Sequence, residues 1–313
     1  MVFRLGLAGG GRMGRTHLRA LKDSTDVQIV AVAEPYEPSA EELRALGLTV
    51  HPTLEAMLEA GGIDGVLVAT PSNQHLSVVE LIAKAGLPIL CEKPCGISPA
   101  QAHAAGEAAR RGGVFLQVAY WRRFIPALQE LQKRIQSGEE GNIHLVICAQ
   151  WDEAPPPARF RANSGGIFID MGVHEIDQLR WLTGQEVIDV SVSAFPTLED
   201  PEASGDVDSA QALLTLSNGT TGVISLGRFF PGGDQVTAEV YGSRGHTRVE
   251  VLQPSDGEAP QLEALRRQAE SFARAAHGGA VEGASIEDAE AALAVAGRLS
   301  GTAGLAILGE KTP

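Results

Sequence analysis

The first half of the chain alternates short apolar runs with amphipathic stretches of helical period. The apolar runs have the length of buried strands and lie at residues 3–8, 27–33, 65–69, 87–91 and 114–118. Strands and helices that alternate in this way form a parallel sheet with helices on both faces. The pattern therefore predicts an α/β domain with a doubly wound parallel sheet, the Rossmann fold, over residues 1–119.

The second half changes to successive strands joined by short turns. The predicted strands lie at residues 187–195, 209–216, 222–228, 236–241 and 247–251. Ser217-Asn218-Gly219-Thr220 is a hairpin turn signal, and strands joined by such turns pair antiparallel. Residues 120–313 are thus predicted to form a second α/β domain with a large, mainly antiparallel open sheet. Two helices, at 261–277 and from 288 to about Leu308, are expected to close the chain.

Composition and charge narrow the function classes. The 313 residues carry a net charge of −14, which argues against binding to a nucleic-acid backbone or to an anionic membrane surface. No apolar run has membrane-spanning length. The first strand begins near Phe3 and leaves no room for a signal peptide, and three cysteines suit a reducing compartment. We therefore expect a cytoplasmic protein without a structural metal.

A glycine-rich turn joins the first predicted strand to the first helix. Its sequence, Gly9-Gly10-Gly11-Arg12-Met13-Gly14, has the G-x-G-x-x-G spacing. Gly9 permits the tight turn, Gly11 lets a pyrophosphate approach the backbone, and Gly14 lets helix and strand pack closely. The helix amino terminus, at Arg12 and Met13, offers unpaired N–H groups to phosphates. The turn predicts a dinucleotide site.

Glu34 ends the second predicted strand, twenty residues after Gly14. A carboxylate there can accept hydrogen bonds from the ribose hydroxyls and would repel a 2′-phosphate. We therefore predict NAD rather than NADP as the cofactor. The alternative is a surface glutamate at a strand end.

Further polar residues fall at the ends of later strands. Because ligands bind at the carboxyl ends of parallel strands, we predict cofactor contacts from Thr70, Pro71, Asn73, His75, Glu92 and Lys93. Lys93 could also hydrogen-bond a reacting hydroxyl and stabilise alkoxide charge, although a lone lysine is more often solvated. We also expect a cis peptide bond between Lys93 and Pro94.

The candidate catalytic residues lie between residues 164 and 177. Asp170, His174 and Asp177 have the spacing i, i+4 and i+7, which places them on one face of a helix. A second, apolar stripe consists of Ile169, Val173, Ile176, Leu179 and Leu182. Histidine has a reference pKa of about 6.5 and a carboxylate one turn away can orient it, so the face reads as a general base with its supporting groups. A solvated helix face and a divalent metal site are the two alternatives.

These motifs together resemble the Gfo/Idh/MocA oxidoreductases nearly end to end. The resemblance rests on the glycine turn, Val68-Ala69-Thr70-Pro71 with His75, Cys91-Glu92-Lys93-Pro94, and Gly165-Gly166 followed by Asp170-x-x-x-His174-x-x-Asp177. Within the family the last motif is most similar to that of the myo-inositol 2-dehydrogenases. The resemblance implies that Lys93, Asp170 and His174 act together on a substrate hydroxyl while Asp177 holds another.

The function that follows is NAD-dependent oxidation of a ring hydroxyl of a polyol or sugar, inositol- or aldose-like, to a ketone. Besides Lys93, Asp170, His174 and Asp177, the predicted substrate-binding residues are Trp121, Arg122, Trp151 and Arg161. Two alternatives stay open: an NAD-dependent glycoside-cleaving enzyme that oxidises its sugar transiently, and a nucleotide-sensing protein without catalysis.

The family uses the open face of its second sheet for oligomerisation. Here Ala212 and Leu214 alternate with Leu213 and Thr215, so both faces of one strand carry apolar groups. We therefore predict a homodimer or homotetramer through this sheet. The other expected partner is the small-molecule substrate.

Overall fold

The computed structural model describes residues 1–196 and 206–303, and these fall into two compact units. The first unit comprises Met1–Trp121 and Gln261–Glu290, and the second comprises Arg122–Pro260 and the residues from Ala291 onward. The sequence predicted one contiguous segment for each domain, divided after residue 119. The predicted end of the last helix near Leu308 lies outside the described residues.

The first unit contains a six-stranded parallel sheet. Its strands are β1 (Phe3–Ala8), β2 (Val27–Ala33), β3 (Thr49–His51), β4 (Gly65–Val68), β5 (Ile89–Glu92) and β6 (Leu116–Ala119), and its helices before residue 121 are α1 (Arg12–Leu21), α2 (Glu37–Ala45), α3 (Leu54–Ala60), α4 (His75–Lys84) and α5 (Pro99–Gly112). The strand order is β3-β2-β1-β4-β5-β6. The order reverses direction between β1 and β4, which is where doubly wound sheets bind nucleotides. The predicted Rossmann topology is confirmed, and the short β3 was not predicted.

Helix α9 (Ala259–Ala276) packs into the core of the first unit although it follows the second sheet in sequence. Phe272 is fully buried, with its ring centroid 5.8 Å from those of Phe3 and Phe115. Ala269 and Ala273 belong to the same apolar cluster. The sequence pattern gave an amphipathic helix here but did not indicate which sheet its apolar stripe covers.

The second unit contains a six-stranded mixed sheet. Its strands are β7 (Ile143–Trp151), β8 (Val187–Pro196), β9 (Val207–Leu216), β10 (Thr221–Gly227), β11 (Gln235–Gly242) and β12 (His246–Leu252), and its helices are α6 (Pro126–Gln136), α7 (Ala158–Ser164) and α8 (Val173–Thr183). The order is β12-β11-β7-β10-β9-β8, with only the β7–β10 pair parallel among the described strands. The mainly antiparallel open sheet is thus confirmed. Helix α10 (Ile286–Thr302) ends the described chain.

The two faces of this second sheet differ in their cover. We call the face on which α8 packs the inner face: a Cβ at Gly222 would lie 2.6 Å from Leu179 of that helix, and Ile224 and Leu226 are fully buried. Side chains alternate along a strand, so Val223 and its neighbours in register point to the opposite, outer face. Leu213, paired with Val223, is 54% exposed there.

The predicted catalytic helix begins irregularly. Residues Phe168–Gly172 form a π-helical turn, and the regular helix α8 starts at Val173. Positive φ angles at Gly165 and Gly166, +88° and +84°, turn the chain from α7 into this segment. The predicted apolar stripe from Ile169 to Leu182 is buried at every position, which confirms it. Asp170 therefore lies in a π-turn, whose hydrogen bonds close i→i+5, and only His174 and Asp177 of the predicted face lie on the regular helix.

Candidate active site

The glycine turn between β1 and α1 has the close approaches that its spacing predicted. Gly9 has φ +100°, and a Cβ there would lie 2.8 Å from the carbonyl oxygen of Ala69. A Cβ at Gly14 would lie 2.1 Å from the carbonyl oxygen of Gly9, so helix and strand meet at backbone distance. No atom lies within 4 Å of a Cβ built on Gly11, which leaves open space beside the amino terminus of α1. This geometry suits a phosphate-bearing ligand.

Glu34 is buried at the end of β2 and anchored to the glycine turn. One carboxylate oxygen accepts the N–H of Gly10 at 2.8 Å, and the other accepts the N–H of Tyr36 at 2.9 Å. These bonds fix the carboxylate beside the turn, and each oxygen keeps a lone pair for a ribose hydroxyl. The alternative of a solvated surface glutamate is therefore wrong, since the residue is 8% exposed.

His75, the first residue of α4, joins the segments that follow β4 and β5. Its Nδ1 lies 2.8 Å from the carbonyl oxygen of Pro94, and its Nε2 lies 2.8 Å from that of Thr70. Burial lowers the pKa of His75, and the two carbonyl contacts partly offset that effect. The ring thereby fixes the chain on both sides of the predicted nicotinamide region. The Lys93–Pro94 peptide bond is cis, as predicted.

Glu92 supports the backbone of Lys93. Its Oε1 lies 2.7 Å from Nε2 of His17 on α1, and its Oε2 accepts the N–H of Lys93 at 3.2 Å. Both His17 and Glu92 are buried. Sequence reasoning missed His17, since a histidine inside an amphipathic helix carries no signal of which strand end it will meet.

The residues of the first unit fit a dinucleotide cofactor. The phosphates of the cofactor can lie against the glycine turn and the open amino terminus of α1. The anchored carboxylate of Glu34 can accept hydrogen bonds from a ribose. The hydroxyl oxygen of Thr70 is buried and has no hydrogen-bond partner among the described residues, so it is available to a ligand at the end of β4. Pro71 and Asn73 follow it directly in the same segment.

Two arginines at the start of the second unit are paired with carboxylates of α8. Arg122 contacts Glu175, and its Nη2 donates to Oε1 of Gln150 at 2.6 Å. Arg123 donates two hydrogen bonds to Asp177, from Nη2 to Oδ1 at 2.5 Å and from Nε to Oδ2 at 3.0 Å. All four charged side chains are buried. The helix face with His174 is therefore not a solvated one, and that alternative is wrong. Sequence reasoning missed Arg123 and Glu175.

His174 lies in the first turn of α8, and Asp170 lies in the π-turn that precedes it. His174 is 7% exposed, and the side chain of Asp170 is 15% exposed. Oδ2 of Asp170 lies 3.2 Å from Nη1 of Arg228, a fully buried residue just beyond β10. Nη2 of Arg228 lies 2.8 Å from Oδ2 of Asp206. Neither Arg228 nor Asp206 was predicted, because both become neighbours of Asp170 only through pairing of β9 with β10.

The other three predicted substrate-binding residues, Trp121, Trp151 and Arg161, lie in different parts of the fold. Trp121, in the first unit, is 5% exposed, and Arg161 on α7 is buried 3.7 Å from Asp208. Trp151 stacks over Gly227 and donates from its indole to Ser225 at 3.1 Å. Ser225 and Gly227 face the outer side of the sheet, so the structure does not bring Trp151 to the face that carries His174.

Residues 1–196 and 206–303 contain no group of three or more His, Cys, Asp or Glu side chains arranged to hold a metal ion. The same residues include no helix long and apolar enough to cross a bilayer. The three cysteines are buried and unbridged, and burial raises the pKa of the Cys148 thiol to about 12.

Two family descriptions match this chain. Residues 3–120 match the oxidoreductase family with an NAD-binding Rossmann fold, and residues 128–248 match the GFO/IDH/MocA C-terminal domain. The chain is 51% identical to the rhizopine catabolism protein MocA of Rhizobium meliloti over 294 residues, 94% of this chain and 93% of that protein. It is 33% identical to an inositol 2-dehydrogenase of Rhizobium meliloti (strain 1021), over 95% of each chain. The crystal structure of myo-inositol 2-dehydrogenase from Lactobacillus plantarum superposes with a TM-score of 0.87 at 25% identity, covering 97% of this chain and 98% of that one.

Proposed function

The chain belongs to the GFO/IDH/MocA oxidoreductase family, and from this membership we propose that it oxidises a ring hydroxyl of a polyol or sugar to a ketone. NAD, when bound, supplies the hydride acceptor. The observation that carries the proposal is that one chain combines a cofactor-binding fold with a candidate general base. The first unit has an NAD-binding fold with an anchored Glu34, and the second holds a buried imidazole, His174, on the segment that also carries Asp170.

His174 is proposed as the general base that removes the hydroxyl proton. A neutral imidazole can accept that proton, and the carboxylate of Asp170, four residues earlier, is proposed to stabilise the ring once it is charged. Burial of His174 limits the access of water that would compete for the proton. The contact from Arg228 orients the Asp170 carboxylate.

Lys93 is proposed to donate a hydrogen bond to the same hydroxyl and to stabilise the developing alkoxide. Its backbone is held by Glu92, and the segment that follows it is held through Pro94 by His75. Both restraints come from elements of the first unit. A fixed main chain lets the flexible lysine stem reach a defined point.

The inositols are the proposed substrate class, because relatives at 33% and more identity carry inositol or rhizopine names. Rhizopines belong beside inositols and aldoses among the compounds to test. Asp177 and Arg122 remain proposed substrate-binding residues. Asp177 is paired with Arg123, and Arg122 with Glu175, and both pairs are buried. Trp121 and Arg161 also remain proposed substrate-binding residues.

Assembly through the outer face of the second sheet is proposed as well. Ile147, Val223 and Leu213 lie in register on adjacent strands of that face. An apolar row open to solvent is typical of a protein–protein contact. The symmetric pairing of two such faces would give a dimer, and a second contact would give a tetramer.

The proposal is tested by a screen for NADH absorbance with NAD and with inositols, rhizopines, aldoses and glycosides. Net NADH formation with a cyclic polyol is the expected result, and the rate should rise with pH through the imidazole range. Product release from a glycoside without NADH accumulation would instead identify the glycoside-cleaving alternative. The His174→Gln variant should lose most of the oxidation rate and the acid limb of the pH–rate profile. Treatment of the native protein with a chelator should change neither the rate nor the profile.

A further inference from the structure

We propose that Arg228 is a positioning residue that holds Asp170 in place and offsets the charges of its carboxylate and of a second, buried carboxylate, Asp206. This role rests on the proposed function, in which Asp170 supports His174 as the base. Arg228 lies outside every motif that carries the family resemblance.

The guanidinium of Arg228 lies between the two carboxylates. Nη1 is 3.2 Å from Oδ2 of Asp170, and Nη2 is 2.8 Å from Oδ2 of Asp206. The arginine side chain is fully buried, as is that of Asp206. Its main chain is fixed too, because its N–H donates to the carbonyl oxygen of Asp208 at 2.8 Å. A buried arginine held at backbone and side chain can define the position of both carboxylates.

Asp206 is tied to the same π-turn from its other oxygen. Its Oδ1 accepts the N–H of Ile167 at 2.8 Å, one residue before the Phe168–Gly172 turn that carries Asp170. Arg228 and Asp206 therefore hold both the start of the turn and the carboxylate at its centre. An asparagine at position 206 could still accept the Ile167 N–H, so the charge of Asp206 is not required for that bond.

The charge balance around Arg228 explains why a cation is needed there. Burial raises the pKa of Asp206 and of Asp152, the neighbouring Asp170 raises both further, and Arg228 lowers both. Asp234 adds a further carboxylate near Asp152. One arginine thus offsets several carboxylates, which lie just after β7, in the π-turn, just before β9 and just before β11. Without it, the cluster would bind a proton at a higher pH, whichever carboxylate or imidazole carries it.

The test is the acid limb of the pH–rate profile for substrate oxidation with NAD. The active form has the cluster deprotonated and His174 neutral, so removal of a positive charge should move the limb to higher pH. Arg228→Gln should move the acid limb upward by at least about one pH unit. At a fixed pH on the acid side, the rate should fall about tenfold for each pH unit of that shift. Arg228→Lys, which keeps the charge, should leave the limb near its original pH.

Asp206→Asn supplies the opposite shift and does not depend on the stability of the Arg228 variants. It removes one negative charge and keeps the acceptor for Ile167, so the limb should move to lower pH. The double variant Arg228→Gln/Asp206→Asn should return the limb toward the native position. Asp189→Asn, an exposed residue of β8, changes the net charge equally and should leave the profile unchanged.

The outcomes separate this inference from the proposed function. An unmoved limb in both Arg228→Gln and Asp206→Asn, with a lower rate only, would make Arg228 a structural brace and overturn the inference. If Arg228→Gln does not fold, Asp206→Asn decides alone, since an unmoved limb there has the same meaning. Full activity of His174→Gln would overturn the proposed base instead, whatever the Arg228 variants show.

Discussion

Replacement of Asp177 by asparagine should destabilise the second unit strongly. Asp177 and Arg123 form a two-bond pair whose side chains are 3% and 7% exposed. The asparagine keeps the shape but removes the negative charge that the buried guanidinium of Arg123 contacts with two hydrogen bonds. Trp181, 5.9 Å from that guanidinium, offers only a weaker cation–π contact.

The size of the effect follows from the burial. Removal of one member of a buried ion pair costs about 3–5 kcal/mol, because the desolvated partner remains. Arg123→Met removes the cation as well, so the double variant Arg123→Met/Asp177→Asn should recover most of the loss. Glu186→Gln is the matched control, since Glu186 pairs with Arg180 through two hydrogen bonds at 2.8 and 2.6 Å but is 63% exposed. Its loss should stay below about 1 kcal/mol.

The assay is urea unfolding of these three variants and the native protein at one protein concentration, followed by circular dichroism. A loss of under about 1 kcal/mol for Asp177→Asn would refute the reasoning that this pair is buried and desolvated. The same series bears on function. A folded Asp177→Asn protein of near-native stability whose KM alone is raised would instead make Asp177 a direct substrate contact.

Three further predictions concern the cofactor, the lysine and the assembly. The native protein should prefer NAD over NADP in kcat/KM, and Glu34→Ser with Pro35→Arg should narrow or reverse the ratio; equal use of both cofactors by the native protein would contradict this. Lys93→Ala should lower kcat by roughly a hundredfold while NAD affinity, measured by fluorescence titration, changes much less; near-normal turnover would remove the lysine from the mechanism. Leu213→Asp should shift the sedimentation of the protein toward monomer, whereas Leu46→Asp, at an exposed leucine of the first unit, should not; a native monomer at micromolar concentration would end the assembly proposal.

The elements nearest to the cofactor could be predicted from sequence because their signals are local. The turn from Gly9 to Gly14 needs glycine for reasons that involve only the adjoining strand and helix, and the structure shows those approaches at Gly9 and Gly14. Apolar runs of four to seven residues between helices defined five of the six parallel strands. Glu34 followed from its distance to the glycine turn, and its anchoring to Gly10 agrees with that position.

The irregular parts of the second unit were only partly predictable. The apolar stripe from Ile169 to Leu182 was visible because burial follows helical period, but the π-turn before Val173 was not. A π-turn leaves the composition of a helix unchanged and alters only its hydrogen-bond register. The position of Trp151 was unpredictable for a similar reason. The side of the sheet to which its side chain points depends on the alternation along β7 and on the space that Gly227 leaves for the indole ring.

The sequence by itself determined the two-domain α/β class, the NAD site and the segment that carries Asp170 and His174. Only the tertiary structure decided that α9 completes the core of the first unit, and that Arg123 and Arg228 neutralise Asp177 and Asp170. The physical reason is the range of the interactions. Periodicity and turn chemistry act over a few residues, whereas each of these ion pairs joins side chains more than fifty positions apart and exists only once the second unit has folded.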